Sequence, residues 1–81
     1  MQIIWDEPKR RANLLKHGLD FADLTLEFFE DAYFEDAKLG RRLAVGWLNG
    51  RGTTVVHVQY GFEAISVISM RPASEKEREA L

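Results

Sequence analysis

Two arginines, two histidines, a tyrosine and a set of helical polar residues are the side chains of this chain with chemistry to offer. Arg71 ends the apolar run Ala64 to Met70 and stands three residues before Ser74, a helix-cap residue, so it is held firmly yet faces solvent. Its planar guanidinium presents paired donors that match the oxygens of a phosphate or a carboxylate. It suits the stabilisation of an anion, and equally a surface ion pair with Glu75 or Glu77. Arg41 opens the run Arg41 to Leu48 and has the same two readings, anion binding or plain solvation. His17 and His57 are the only side chains whose ordinary pKa lies near neutrality, which makes them the default acid–base candidates. His17 also stands at a helix end, where its charge can cap carbonyls. His57 alternates with Val56 and Val58, so it is either a reactive group on an open sheet face or a half-buried residue with no further role. Tyr60 offers an acid or an aromatic stacking surface. At about 100° per residue, Lys9, Asn13 and Lys16 fall within roughly 60° of one helix face. Such a face can follow a phosphate backbone; alternatively the lysines are solvated and Asn13 braces the helix.

The elements that must position these groups are legible in order. Gln2 to Trp5 is β-prone, and a helix runs from Asp6 to about His17, with Pro8 in its first turn and Gly18 as its stop. The face opposite the cations, with Leu15, Ala12 and Pro8, is expected to meet a core. A second helix is expected from Asp20, with Phe21, Leu24, Phe28 and Phe29 as an aromatic core stripe. From Ala32 the period becomes that of strands: Tyr33-Phe34-Glu35, Arg41 to Leu48, Thr53 to Tyr60 and Ala64 to Met70, with Asn49-Gly50 a strong hairpin signal. Ser74-Glu75-Lys76-Glu77 has capping-box spacing and opens a last helix. The expected fold is α+β, with two N-terminal helices packed on one face of an antiparallel β-meander and a short C-terminal helix. The other face is expected to be open.

Composition narrows the classes. The chain has 81 residues, 46% hydrophobic and 30% charged, which fits one small globular domain, 1–81. With no cysteine, thiol catalysis, disulfides and Cys-ligated metals are excluded. No spacing supports a metal site from His17, His57 and a carboxylate, and no glycine-rich phosphate loop is present, so no metal and no cofactor are expected. No apolar run has membrane-span length and the N-terminus lacks signal-peptide character, which leads to an expected cytoplasmic location without membrane contact. Net charge is −2, but it is unevenly placed. Residues 9 to 17 carry Lys9, Arg10, Arg11 and Lys16 with no acid, while residues 20 to 36 carry only acids.

Trp5-Asp6, Lys9, Asn13, Lys16-His17-Gly18 and Phe21, then Phe28, Asp31, Arg41 and Gly46, then Ile68-Ser69-Met70-Arg71-Pro72-Ala73 with Glu77-Arg78, together resemble the BrnT family of toxins from type II toxin–antitoxin systems. The resemblance implies a RelE-like fold and ribonuclease toxicity that inhibits translation. It also implies neutralisation by a cognate antitoxin with a ribbon-helix-helix DNA-binding part, with operator DNA met only through that complex. Cleaving RNA without a metal needs a base for the 2′-hydroxyl, an acid for the leaving oxygen and cations for the phosphate. On that reading Arg71 and then Arg41 stabilise phosphate, His17, His57 or Tyr60 moves protons, and Lys9, Asn13 and Lys16 hold the RNA. Ser66 and the turn Gly61-Phe62-Glu63-Ala64 stand where the family usually carries arginines, Met70 replaces an alanine, and Leu81 an aromatic residue. These departures motivate a rival expectation, a weakened or inactive homologue serving as an antitoxin-binding module. A toxin that blocks a protein target, as ParE-like relatives do, is a third.

Overall fold

The computed structural model describes all 81 residues. Strand β1 (Gln2–Trp5) leads through Asp6, whose extended backbone ends the strand, into helix α1 (Glu7–His17). Pro8 lies in the first turn, where no N–H is required of it. Gly18 closes the helix in the left-handed region at φ 68°, and its N–H donates to the Leu14 carbonyl at 2.8 Å. The side chain of Asp6 makes no cap hydrogen bond. The expected apolar face of α1 is not a core face: Leu15 is 91% exposed, and Asn13 is the one buried residue of the helix. Its attachment to the sheet is therefore polar.

The expected single helix after Asp20 is broken in two. Asp20 caps a 3-10 turn, Phe21–Asp23, by accepting from the Ala22 N–H. Leu24 is then extended, and Thr25 caps α2 (Leu26–Asp31) by accepting from the Phe28 N–H. The aromatic stripe survives the break because both pieces face the same core. Thr25 decides the break locally, since its hydroxyl satisfies a backbone donor only outside the helix.

Strands β2 (Tyr33–Asp36), β3 (Arg42–Leu48), β4 (Arg51–Tyr60) and β5 (Ala64–Pro72) pair in sequence, each antiparallel to the next. Asn49 and Gly50 both take positive φ between β3 and β4, as a two-residue hairpin turn requires. The sheet as a whole is mixed, in the order β1-β5-β4-β3-β2, because β1 pairs in parallel with β5. A four-residue strand carries no local sign of its partner or direction; the return of the last strand beside the first sets both. Arg41 does not open β3 but precedes it, with its N–H donating to Lys38 after a 3-10 turn. Along β5, Ile68 is an extra residue between the pairs Val56–Ser69 and His57–Val67, a bulge that resets the face.

On one face Phe21, Leu24, Phe28 and Phe29 pack against Ala44, Leu48, Val55, Ile65, Val67 and Met70. Gly46 lets the Phe28 ring sit directly on the sheet, where a Cβ would lie 3.1 Å from it. The opposite face is not wholly open. Helix α3 (Glu75–Arg78) covers its β4–β5 end, burying Thr54 under Glu77, while Val56 and Val58 are half-buried and Tyr60 is exposed. No helix is long and apolar enough to cross a membrane.

The left-handed stop of α1 is testable by itself. A Cβ at Gly18 meets no atom within 4 Å, so the cost of Gly18→Val is conformational, about 1–2 kcal/mol. A lowered melting temperature is expected, with Gly18→Asn closer to wild type; an unchanged value for the valine variant would contradict this helix end.

Candidate functional site: a cationic groove between helix and sheet edge

Strand β1 stops at Trp5, opposite Val67, so the later half of β5 has no strand beside it on that side. Helix α1 takes its place. The Asn13 amide accepts from the Met70 N–H at 3.0 Å and donates to the Leu19 carbonyl at 3.2 Å. Only one orientation of the amide serves both partners, so helix, following loop and strand are fixed by one side chain. Between α1 and β5 lies an open groove of about 450 Å³, lined by Lys9, Ala12, Asn13, Lys16, His17, Ile68, Ser69 and Arg71. No carboxylate is among them.

Neighbouring acids are already engaged. Arg10 donates to Glu7 at 2.7 Å and to both oxygens of Asp20 at 3.0 Å, closing the helix onto the following turn. The carboxyls of Glu7 and Asp20 are held below their usual range, Glu7 chiefly by Arg10 and Asp20 by the Ala22 N–H and then Arg10. Arg71 is paired end-on with Glu77, Nη1 to Oε1 at 2.7 Å and Nη2 to Oε2 at 2.9 Å. The expected alternative of an ion pair with Glu77 is thus realised, yet the Arg71 side chain remains 38% exposed and lines the groove. Arg71, the N–H of Ser74 and the hydroxyl of Thr54 together hold the Glu77 carboxyl down at about 2, against the opposing effect of burial.

The groove gathers Lys9, Asn13, Lys16, His17 and Arg71 from two distant parts of the chain, and it leaves out the other candidates. His57, expected on an open face or half-buried, is fully buried on the helix-covered face. Its ring stands edge-on to Phe29 and Phe34, its Nδ1 is 3.4 Å from the Val55 carbonyl, and its buried Nε2 has no partner. Burial pushes its pKa down, with Arg42 adding to the shift and the Val55 carbonyl opposing it. It cannot touch a substrate in the groove. Tyr60 is exposed but ends β4, six residues past Thr54, the partner of Arg71, and so about 20 Å along the strand. Arg41 precedes β3, two strands from β5, and is not part of the groove. Ser69 and Ile68 are groove residues that sequence reasoning did not single out. Their signal was present in the late Ile-Ser-x-Arg run, and the structure places both on the groove wall at the bulge. No three His, Asp or Glu side chains converge as a metal-binding group.

Residues 5–77 match the family model described as ribonuclease toxin, BrnT, of type II toxin–antitoxin system. Among solved structures, the chain is similar to the 1.1 Å crystal structure of the Brucella abortus ribonuclease toxin, BrnT. Identity is 54%, the match covers 93% of this chain and 99% of that one, and the TM-score is 0.86. None of the curated proteins matches.

The buried His57 makes stability depend on pH with a definite sign. Its folded pKa is below the ordinary value of 6.5, so the unfolded chain takes up the proton first. The stability of the neutral form is complete above about pH 6.5 and is lost as pH falls below it. The melting temperature is expected to drop by a few degrees between pH 7 and pH 5. His57→Leu should flatten that slope while His17→Gln keeps it; an equal slope in wild type and His57→Leu would refute the assignment. Glu77 acts in a separate window, below about pH 4.5, because its folded pKa is about 2.

Proposed function

Because this chain belongs to the BrnT family of ribonuclease toxins of type II toxin–antitoxin systems, we propose that its α1–β5 groove is the RNA-cleaving site. The observation that carries this reading is the lining itself: Lys9, Lys16, His17 and Arg71 converge around Asn13 and Ser69 with no carboxylate among them. Lys9 and Lys16, which have no ion-pair partner, supply a local positive field that attracts a phosphodiester although the whole molecule is net negative, and Arg71, balanced by Glu77, supplies directed donors.

The chemistry is metal-independent in this proposal and uses groups of the chain. A base takes the proton of a ribose 2′-hydroxyl, the 2′-oxygen attacks the adjacent phosphorus, and the 5′-oxygen leaves with a proton, giving a 2′,3′-cyclic phosphate and a 5′-hydroxyl. Arg71 stabilises the charge that builds on the non-bridging oxygens, where paired planar donors are most effective. His17 is the groove residue suited to proton transfer. Lys9 and Lys16 hold flanking phosphates, and Asn13 keeps the two walls together. His57, Tyr60 and Arg41 have no part in this mechanism.

The fold is RelE-like in this reading, and cleavage of RNA in the cytoplasm stops translation. The antitoxin that the toxin–antitoxin family implies carries a ribbon-helix-helix part, and operator DNA is met only through the complex. The family match does not favour the alternative of an inactive module. Two of the four departures fall outside the groove, since Ser66 pairs with Ile4 and Val58 and the 61–64 turn lies at the far end of the sheet; Met70 adjoins Arg71, and its N–H donates to Asn13.

Induced expression without antitoxin should arrest growth with loss of intact RNA. Arg71→Ala should be tolerated, its cleavage rate lower by about 10²–10³-fold. Arrest with intact RNA would point to a protein target instead. In binding measurements with an uncleavable 2′-O-methyl RNA, Lys16→Ala should reduce the slope of log K against log salt by about 0.7; an unchanged slope would remove Lys16 from the RNA path.

A further inference from the structure

We propose that Glu77 is a positioning residue for Arg71, fixing its guanidinium end-on so that the Nε–Nη2 edge is presented to an RNA phosphate. The inference rests on the groove being the nuclease site and concerns how its main cation is oriented.

A guanidinium has five N–H donors. Glu77 takes one from Nη1 at 2.7 Å and one from Nη2 at 2.9 Å, and the Pro72 carbonyl lies 3.5 Å from Nη1. The Nε–H and the second Nη2–H are left, parallel along one edge. That is the spacing at which arginine takes two phosphate oxygens. The donors that Glu77 leaves free include a complete bidentate edge, on a side chain that is 38% exposed and lines the groove.

The same ion pair has a competing reading as a latch that phosphate must displace. The surroundings of Glu77 decide against it. Besides Arg71, the carboxylate accepts from the buried Thr54 hydroxyl at 2.9 Å and from the Ser74 N–H at 2.8 Å, and its side chain is only 14% exposed. Its own N–H donates to Ser74 Oγ, so the carboxylate is fastened at both ends of a capping box. Pulling Arg71 away would leave a nearly buried negative charge short of two of its four donors, a far less favourable state than keeping the pair. The carboxylate stays and the arginine is held by it. Three elements meet there: Thr54 of β4, Arg71 of β5 and the cap of α3.

Cleavage of a short fluorogenic RNA by the purified full chain tests this, using wild type, Arg71→Ala, Glu77→Gln, the double variant and Ser74→Ala. Glu77→Gln should lower kcat about tenfold with KM within about threefold, since the misplaced donor acts in the transition state. In the Arg71→Ala background it should cause no further loss. Ser74→Ala removes one anchor of Glu77 but keeps the Ser74 N–H, and should lower the melting temperature with a kcat loss smaller than that of Glu77→Gln. A Glu77→Gln enzyme as fast as wild type overturns the positioning role, and a faster one establishes the latch. Additive losses, or an equal kcat loss in Ser74→Ala, also overturn it. Where Glu77→Gln does not fold, Thr54→Val replaces it and should show a smaller kcat loss that vanishes in the Arg71→Ala background; a loss that persists there refutes the proposal. Intact RNA with wild type, or undiminished cleavage by Arg71→Ala, sinks the nuclease site and the positioning role with it. The positioning role alone fails when those two behave as expected and Glu77→Gln does not.

Discussion

Two hydrogen bonds from one amide hold the working part of this molecule together. Helix α1 buries a single residue, Asn13, and turns leucine to water at Leu15. Apolar burial therefore supplies little of its attachment. Asn13 joins the Met70 N–H to the Leu19 carbonyl, two backbone groups that the end of β1 and the turn after α1 would otherwise leave without partners. Each such group, buried and unpaired, costs about 1–3 kcal/mol. The groove is the seam this amide creates. Arg10 reinforces it by tying the helix to Asp20, at the start of the 3-10 turn that carries Phe21 into the core.

Charge is arranged around that seam more finely than the net value of −2 implies. Acids close to the cations are consumed in specific pairs, Glu7 and Asp20 by Arg10, and Glu77 by Arg71. The remaining acids lie mainly on α2, β2 and the segments flanking them. Lys9, Lys16 and His17 thus line the groove without a paired carboxylate, beside Arg71, whose charge Glu77 balances. An anionic polymer meets the local field of that surface, and the net charge acts only weakly across a Debye length of solvent.

The core contains polar chemistry of a different kind. His57 stands between Phe29 and Phe34, and Arg42 stacks on the Phe34 ring at 4.9 Å. A neutral imidazole is tolerated among aromatic rings where an imidazolium is not. The alternation of Val56, His57 and Val58 was visible in the sequence and correctly set His57 apart from its two neighbours. Which of the two faces would be roofed by α2 was not visible, because that depends on how a helix six residues long docks across the sheet.

Local signals in the sequence determined the start and stop of α1, the aromatic stripe, the Asn49-Gly50 hairpin, the order of the later strands and the capping box at Ser74. They also marked most of the residues that line the groove. Each of these rests on contacts within a few residues, whose cost in chain entropy is small and whose residue types are diagnostic. Tertiary structure alone decided the rest: β1 parallel beside β5, Leu15 outside and Asn13 inside, His57 buried, Tyr60 remote, and Arg71 held by Glu77. Those outcomes depend on segments as far apart in the chain as Gln2 and Ala64 meeting in one register. The bulge at Ile68 and the polar clasp of Asn13 set that register, and the free energies of backbone pairing and desolvation that favour it belong to the assembled fold and not to any local run of residues.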